Sequence, residues 1–468
     1  MSNDKYSLQK SMYRQVTDKD LFHQTHKYAM DYLDNVFDRE VYPSEGSLAK
    51  LEAFDTAIPE SRGDAAQIIK LLHENGSPNT VAQLGGRYFG FVNGSALPVT
   101  LAAKQLATFY DQNAGMTVIS PLAAKLEEVV IRWLQMLFGL PTSTAVGFVS
   151  GTASANICGL AAARHRLLLN QGWNVNKRGL QGAPQLRVVA GKEIHATIFK
   201  ALAILGLGHD IIEWVDVDDQ GRLMVEKLPQ LDDRTIVILQ AGNVNSGSFD
   251  PFDEICDLAA RTGSWVHIDG AFGLWAQTSG ELRHLTKGIE KAHSWSVDAH
   301  KTLNAPYDSG IAMCVDEEAM GSALHMTGAY IMSEGGREGL YFTPEMSRRA
   351  RIIELWAALK YLGRAGIDEL VYGLHQRALQ FAGQIGTVHG LNVPNEVCFN
   401  QVLLHCSSDE LTVRLMEQVQ QLRTCWVGGS SWKGRKVIRV SVCSWATTES
   451  DITRAVASFD QALKMITS

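Results

Sequence analysis

Ser264-Trp265-Val266-His267-Ile268-Asp269-Gly270-Ala271-Phe272-Gly273 and, one spacer later, Ser294-Trp295-Ser296-Val297-Asp298-Ala299-His300-Lys301-Thr302-Leu303-Asn304 decide how this chain is read. Each stretch begins as a short apolar run, the pattern of a buried strand, and each runs into charge. Asp269 closes the first run. A carboxylate at a buried strand end is costly unless a cation or a hydrogen-bond donor meets it, so its presence is informative by itself. Lys301 stands just past the second run, where a lysine could equally reach solvent.

Outward from this pair, the same pattern repeats. Strands are predicted at 146–149, 187–190, 211–215, 235–240, 264–268, 294–297 and 310–315, with helices at 152–168, 196–206 and 251–262 between them. Such alternation implies an α/β unit with a mainly parallel seven-stranded sheet and helices on both faces. Ligands bind at the carboxyl ends of the strands in such sheets. Upstream, residues 122–138 carry apolar side chains at 126, 129, 130, 133, 134 and 137, one packed helical face, which Gly139 and Pro141 then end. The first 75 or so residues read as mostly helical with a break near Gly63, and Gly85–Gly94 is a glycine-rich stretch suited to close backbone approach. A helix is expected at 352–363, and the last hundred or so residues read as a smaller α+β unit with strands near 398–404 and 437–442. The expected division is an N-terminal helical segment (1–80), a large domain (81–350) and a small C-terminal domain (351–468).

Composition narrows the classes. The chain of 468 residues is 46% hydrophobic and 20% charged, the balance of a globular protein, and its net charge of -7 gives no nucleic-acid or polybasic membrane signature. The seven cysteines form no CxxC pair and sit mostly in apolar runs, as buried free thiols in a reducing compartment would. The polar N-terminus lacks a secretory core, and no run approaches the ~20 apolar residues of a membrane span. A cytoplasmic location is expected.

Two further strand ends carry candidate chemistry. Phe148-Val149-Ser150-Gly151-Thr152-Ala153-Ser154-Ala155-Asn156 joins a strand to a helix through small residues, and free amides there, with the Thr152 and Ser154 hydroxyls, suit a phosphate. Alone, such a turn is more often structural. His195 opens a helix after the 187–190 strand, where a histidine is more often a cap than a catalyst. Phosphate cup, histidine, strand-end Asp and strand-end Lys in this order form one constellation with one chemical explanation. Pyridoxal phosphate needs a phosphate anchor, a stacking partner, an anion against its pyridine nitrogen and an amine that joins its carbonyl as a Schiff base. The histidines show no metal-ligand spacing, so no metal site is expected.

With these residues in view, the chain resembles the group II pyridoxal-phosphate-dependent amino-acid decarboxylases, which share the aspartate-aminotransferase fold (fold type I), over nearly its whole length. The resemblance implies that Gly151, Thr152, Ala153 and Ser154 carry the phosphate and that His195 stacks on the ring. It implies also that Asp269 faces the pyridine nitrogen, that Ala271 lies under the ring, and that the Asp298, His300 and Lys301 segment completes the cofactor site. A Gly-Thr-Thr loop of the family matches Gly242-Asn243-Val244, which puts Asn243 near the cofactor. Arg439 matches an arginine that receives the substrate carboxylate in some members, and Phe91 and Asn93 are further substrate-side candidates. A lid over roughly 325–343, tipped by Glu334-Gly335-Gly336-Arg337, is expected to supply a tyrosine that protonates the α-carbon, Tyr341 first and Tyr330 second.

The chain departs from the family where Thr302 replaces a tryptophan and where Asp269-Gly270-Ala271-Phe272-Gly273 replaces the usual Asp-Ala-Ala loop. The implied reaction is loss of the α-carboxylate of an L-amino acid as carbon dioxide, catalysed by Lys301, His195, Asp269 and Tyr341. Alternatives are an aldehyde-forming oxidative deamination, another lyase or aminotransferase, and a catalytically silent binding protein. Phe89, Phe91, Ile119, Trp426 and Trp432 could line an apolar pocket or simply pack, which leaves aromatic, aliphatic and acidic substrates open. A homodimer with its active site at the interface is implied as well.

Overall fold

In the computed structural model, which describes residues 7–325 and 337–468, the apolar runs of the central region form one seven-stranded sheet. Its strands are β1 (Ala145–Val149), β2 (Arg187–Gly191), β3 (Ile212–Val215), β4 (Thr235–Gln240), β5 (Trp265–Asp269), β6 (Ser294–Asp298) and β7 (Gly310–Cys314), in the spatial order β1-β7-β6-β5-β4-β2-β3. From β6 through β3 every pair is parallel, while β7 runs against both β6 and β1. The short 299–309 turn explains the reversal, since only an antiparallel return needs so little chain.

Side-chain alternation divides the strands between two apolar layers. Val237, Leu239, Val266, Ile268, Trp295 and Val297 enter one core, with the helix Pro121–Phe138. Val188, Ala190, Ile236, Ile238 and Trp265 face the other, under the long helix Thr152–Asn170. Because helices cover both faces, β1, β4, β5, β6 and β7 are buried at every residue.

The small unit holds a second, antiparallel sheet of β8 (Gln401–Leu404), β9 (Gly428–Trp432) and β10 (Arg435–Ser441), ordered β8-β10-β9. The sequence pattern does not announce β9, whose Gly-Gly-Ser-Ser-Trp run has little strand preference. A two-residue turn makes it: Lys433 and Gly434 both have positive φ (48° and 78°), the geometry that matches the twist of a tight hairpin. The helix expected at 352–363 extends to Ile352–Ile385, bent at Gly363 (φ 58°). Its first half packs on the large core through Leu355 and Leu359, and its second half on the small one through Leu374 and Phe381.

The N-terminal helices Ser7–Asp18 and Asp20–Val36 bury only Val36 and leave Leu8, Met12, Tyr13, Val16, Phe22 and Met30 exposed. All seven cysteines are unpaired, and six of them are buried. No described helix is long and apolar enough to cross a membrane.

Candidate active site

Strands β5 and β6 pair in register, His267 beside Ser294 and Asp269 beside Ser296. Alternation therefore turns Trp265, His267, Asp269, Ser294, Ser296 and Asp298 to one face, beneath the helix Thr152–Asn170. From that helix Asn156 descends, wholly buried, and its Nδ2 donates to Asp269 Oδ2 at 3.0 Å. The Ala271 amide donates to Asp269 Oδ1 at 3.1 Å. Asp269, itself buried, thus meets the donors that a carboxylate at this depth requires.

The other strand end is Asp298. One of its oxygens accepts from the Thr152 amide at 2.7 Å, and the other lies 3.1 Å from Lys301 Nζ. His300 Nδ1 accepts from the Ser309 amide at 3.1 Å, so its proton sits on Nε2, 3.6 Å from the same Asp298 carboxylate. Burial pushes the His300 imidazole below its ordinary range.

The turn that carries Lys301 is held by Asn304, a residue the sequence reading quotes without assigning a role. Its Oδ1 accepts from the Ser95 and Trp445 amides at 3.0 and 2.9 Å, and its Nδ2 donates to the carbonyls of Lys301, Thr302 and Cys443. The glycine-rich stretch is drawn in as well: a Cβ on Gly94 would stand 2.1 Å from the Lys301 carbonyl oxygen. Close backbone approach is thus the reason for glycine there.

His195 caps the helix Ala196–Ile204, its Nδ1 accepting from the Thr197 amide at 3.2 Å and facing the Thr197 hydroxyl at 2.8 Å. Capping leaves Nε2 to carry the proton. Burial lowers the affinity of this ring for a second proton, and Asp269, Lys301, Arg439 and Asp298 are the charges acting on it. Arg439, on β10, donates to the Val244 carbonyl at 3.1 Å, while its Nε is buried without a partner. Among the described residues no carboxylate pairs with it.

A phosphate fits at the start of the helix Thr152–Asn170. The Thr152 hydroxyl is buried there with no partner, and an anion favours the amides of a helix N-terminus. Ser150 and Ser154 face each other at 3.3 Å beside it. Lysine, acid, histidine and cup therefore present the groups that pyridoxal phosphate requires.

Other sequence candidates are placed differently. Asn243 is committed to its own turn, its Oδ1 accepting from the Asn245 and Ser246 amides at 2.9 and 3.2 Å. Asn93 accepts from the Tyr307 hydroxyl at 2.9 Å, and the Tyr307 ring lies 4.3 Å from that of His300. Phe91 is exposed and stacks on Trp426 at 5.9 Å, which stacks in turn on Tyr88 at 5.2 Å. Tyr341 stacks on His325 at 5.6 Å and packs, like Leu324, against the apolar layer under the helix Thr152–Asn170. Tyr330 and the Glu334-Gly335-Gly336 tip of the expected lid lie outside the described residues.

The pyridoxal-dependent decarboxylase conserved domain matches residues 49–406 of this chain. The chain belongs to that family. Pyridoxal phosphate is accordingly its cofactor, and carboxy-lyase its enzyme class. An aromatic-L-amino-acid decarboxylase of Bacillus atrophaeus is 26% identical over 449 residues, covering 90% of this chain and 90% of that protein. An aspartate 1-decarboxylase of Aliivibrio fischeri is 28% identical over 383 residues, covering 75% of this chain and 70% of its own length. Among solved structures, the Oryza sativa TDC with PLP and tryptamine superposes with a TM-score of 0.88 at 21% identity, covering 97% of this chain and 99% of that one. That likeness establishes the type I fold of this family member.

Proposed function

We propose that this pyridoxal-dependent decarboxylase removes the α-carboxylate of an L-amino acid, releasing the amine and carbon dioxide, with Lys301 as the residue that attaches the cofactor. The observation that carries this reading is the placing of Asp269 and Lys301 at and past the ends of the paired strands β5 and β6, with Asp269, Lys301 and Arg439 all acting as charges on His195. When bound, pyridoxal phosphate supplies the electron sink into which the bond to the departing carboxylate empties.

The protein's part is placement. Gly151, Thr152, Ala153 and Ser154 would hold the phosphate, with His300 and the Asp298 carboxylate bordering the cup, and Ala271 would support the ring. Asp269 accepts a hydrogen bond from the ring nitrogen and is kept in place by Asn156 and the Ala271 amide. His195 would lie over the ring, its Nε2–H serving as a hydrogen-bond donor within the cluster. Arg439, a guanidinium with a partnerless Nε, receives a carboxylate of the substrate. The exposed Phe91, stacked on Trp426, supports an aromatic or aliphatic substrate side chain, and the aromatic-L-amino-acid decarboxylase relative points the same way. The aspartate 1-decarboxylase relative keeps an acidic side chain in the comparison.

A second reading draws on the seating of Tyr341, stacked on His325 rather than bonded to any group of the site. Without a tyrosine to return the proton, molecular oxygen could take up the electron pair instead and water the amine's place, giving aldehyde, ammonia and hydrogen peroxide with the carbon dioxide. We further propose a cytoplasmic homodimer, supported by the apolar surface of the N-terminal helices. A panel of aromatic, aliphatic and acidic L-amino acids, scored for carbon dioxide, amine and aldehyde, tests the reaction. Equal amounts of amine and carbon dioxide from one member are expected. Aldehyde in place of amine would transfer the assignment to the second reading, and keto acid without carbon dioxide would overturn both.

A further inference from the structure

Behind Asp269 and Asn156 lies a row of buried polar groups, Trp265, Ser294, Ser296 and His267, that no step above uses. Trp265 Nε1 meets Ser294 Oγ at 2.9 Å, Ser294 Oγ meets His267 Nδ1 at 2.8 Å, and His267 Nε2 meets Asn156 Oδ1 at 2.9 Å. Ser296 Oγ donates to the same Asn156 oxygen at 2.6 Å. On its other side Asn156 Nδ2 serves Asp269 Oδ2 at 3.0 Å and Thr197 Oγ1 at 3.3 Å.

Elementary donor and acceptor rules give this row one direction. An indole N–H can only donate, so the Ser294 hydroxyl accepts from Trp265. Asp269 takes the Asn156 N–H, so the Asn156 oxygen faces His267, and the neutral ring, donating from Nε2, accepts the Ser294 proton at Nδ1. His267 then carries its proton on Nε2 and donates to the Asn156 oxygen. That turns both Asn156 N–H bonds outward, one to Asp269 and one to Thr197. The Thr197 hydroxyl, having accepted, donates to His195 Nδ1, and His195 in turn keeps its proton on Nε2.

We propose that Trp265, Ser294, His267 and Asn156 form a positioning relay that sets Asp269 as an acceptor, adds through the Thr197 hydroxyl to the Nε2–H form that the Thr197 amide imposes on His195, and so governs cofactor affinity from behind the site. None of the four is assigned a cofactor contact here. The fold makes room for the relay: a Cβ on Gly159 would lie 2.7 Å from His267 Cε1 and Nδ1, so the helix can cover the imidazole only with glycine at that turn. His267 is fully buried, and burial pushes its imidazole down to about 4, which keeps it in the neutral form the row requires. The relay rests on the placement of Asp269 at the ring nitrogen proposed above.

The test titrates apo-protein with pyridoxal phosphate, following the visible cofactor band and protein fluorescence, for wild type, His267→Phe and His267→Gln. Histidine 15N signals report the His195 tautomer independently of turnover. His267→Phe breaks the row, whereas the amide of His267→Gln can still accept from Ser294 and donate to Asn156. We expect His267→Phe to weaken cofactor binding about 10–100-fold, the scale of losses for partners behind metal ligands, and to shift the His195 Nε2–H signal. His267→Gln retains most of the affinity and the Nε2–H signal. Should His267→Phe fail to fold, Asn156→Ala and Ser294→Ala carry the same expectation. Wild-type affinity and an unchanged His195 signal in the broken variants would overturn the relay alone. Wild type that binds no cofactor would overturn the site assignment beneath it.

Discussion

Two buried carboxylates end adjacent strands, and their surroundings give them different work. Asp269 is met by an amide side chain and a backbone N–H, both neutral donors, whereas Asp298 is met by the Lys301 ammonium and the first amide of the phosphate cup. The polar row behind Asp269 has a consequence for stability. His267 titrates at about 4 in the fold against an ordinary 6.5, so between those values only the unfolded chain takes up the proton. The lowered value means that its contribution is present above pH 6.5 and is lost as pH falls toward 4, amounting to about 3 kcal/mol. Chemical denaturation of wild type and His267→Gln across that range is expected to show the difference between them shrinking as pH falls. A constant difference would show that His267 does not carry it. At this scale the sequence was half legible. Asp269 and Lys301 stand out because charge at the end of an apolar run needs an explanation. His267, Ser294 and Asn156 do not, since each single polar residue in an apolar run reads as an ordinary satisfied one. The available signal was their spacing, polar at 267 and 269 and at 294, 296 and 298, which places them on one face of neighbouring strands.

At the scale of elements, the turn after β6 bears the strongest structural demand. Asn304 has φ of 58° and ties five backbone groups from three segments to that turn. Asn304→Gly keeps the conformation accessible and removes only the hydrogen bonds, so it isolates the side chain's part. A loss of about 3 kcal/mol in denaturant unfolding, with weaker cofactor retention, is expected from buried backbone groups left unpaired. Unchanged stability would mean that the five contacts are dispensable. The strands of the large sheet were readable from apolar runs of four to six residues, because burial on both faces leaves few polar interruptions. Strand β9 was not readable, since its existence follows from the Lys433-Gly434 turn and from pairing with β10 rather than from its own residues. The seating of Tyr341 against the layer under the helix Thr152–Asn170 was equally hidden, because it depends on packing between segments far apart in sequence.

Across the described residues, an apolar face joins the N-terminal helices to the helix Pro98–Tyr110. Phe109 on the helix Pro98–Tyr110 is 68% exposed and lies 5.6 Å from Phe22, beside a cleft of about 930 Å³ lined by Tyr28, Met30, Leu33, Leu101 and Trp445. An apolar surface of this extent is expected to be covered by a second copy. Light scattering should give twice the 51.4 kDa chain mass, and Phe109→Asp should shift the protein toward monomer with loss of activity. A fully active monomer would contradict the proposed dimer.

The central claim is that Lys301 is the residue to which the cofactor attaches. Borohydride reduction of the holoenzyme followed by peptide mass mapping tests it most directly. The cofactor mass is expected on the peptide containing Lys301, at about one per chain, and is expected to vanish in Lys301→Ala. Cofactor fixed to a different lysine, or to none, would contradict the account.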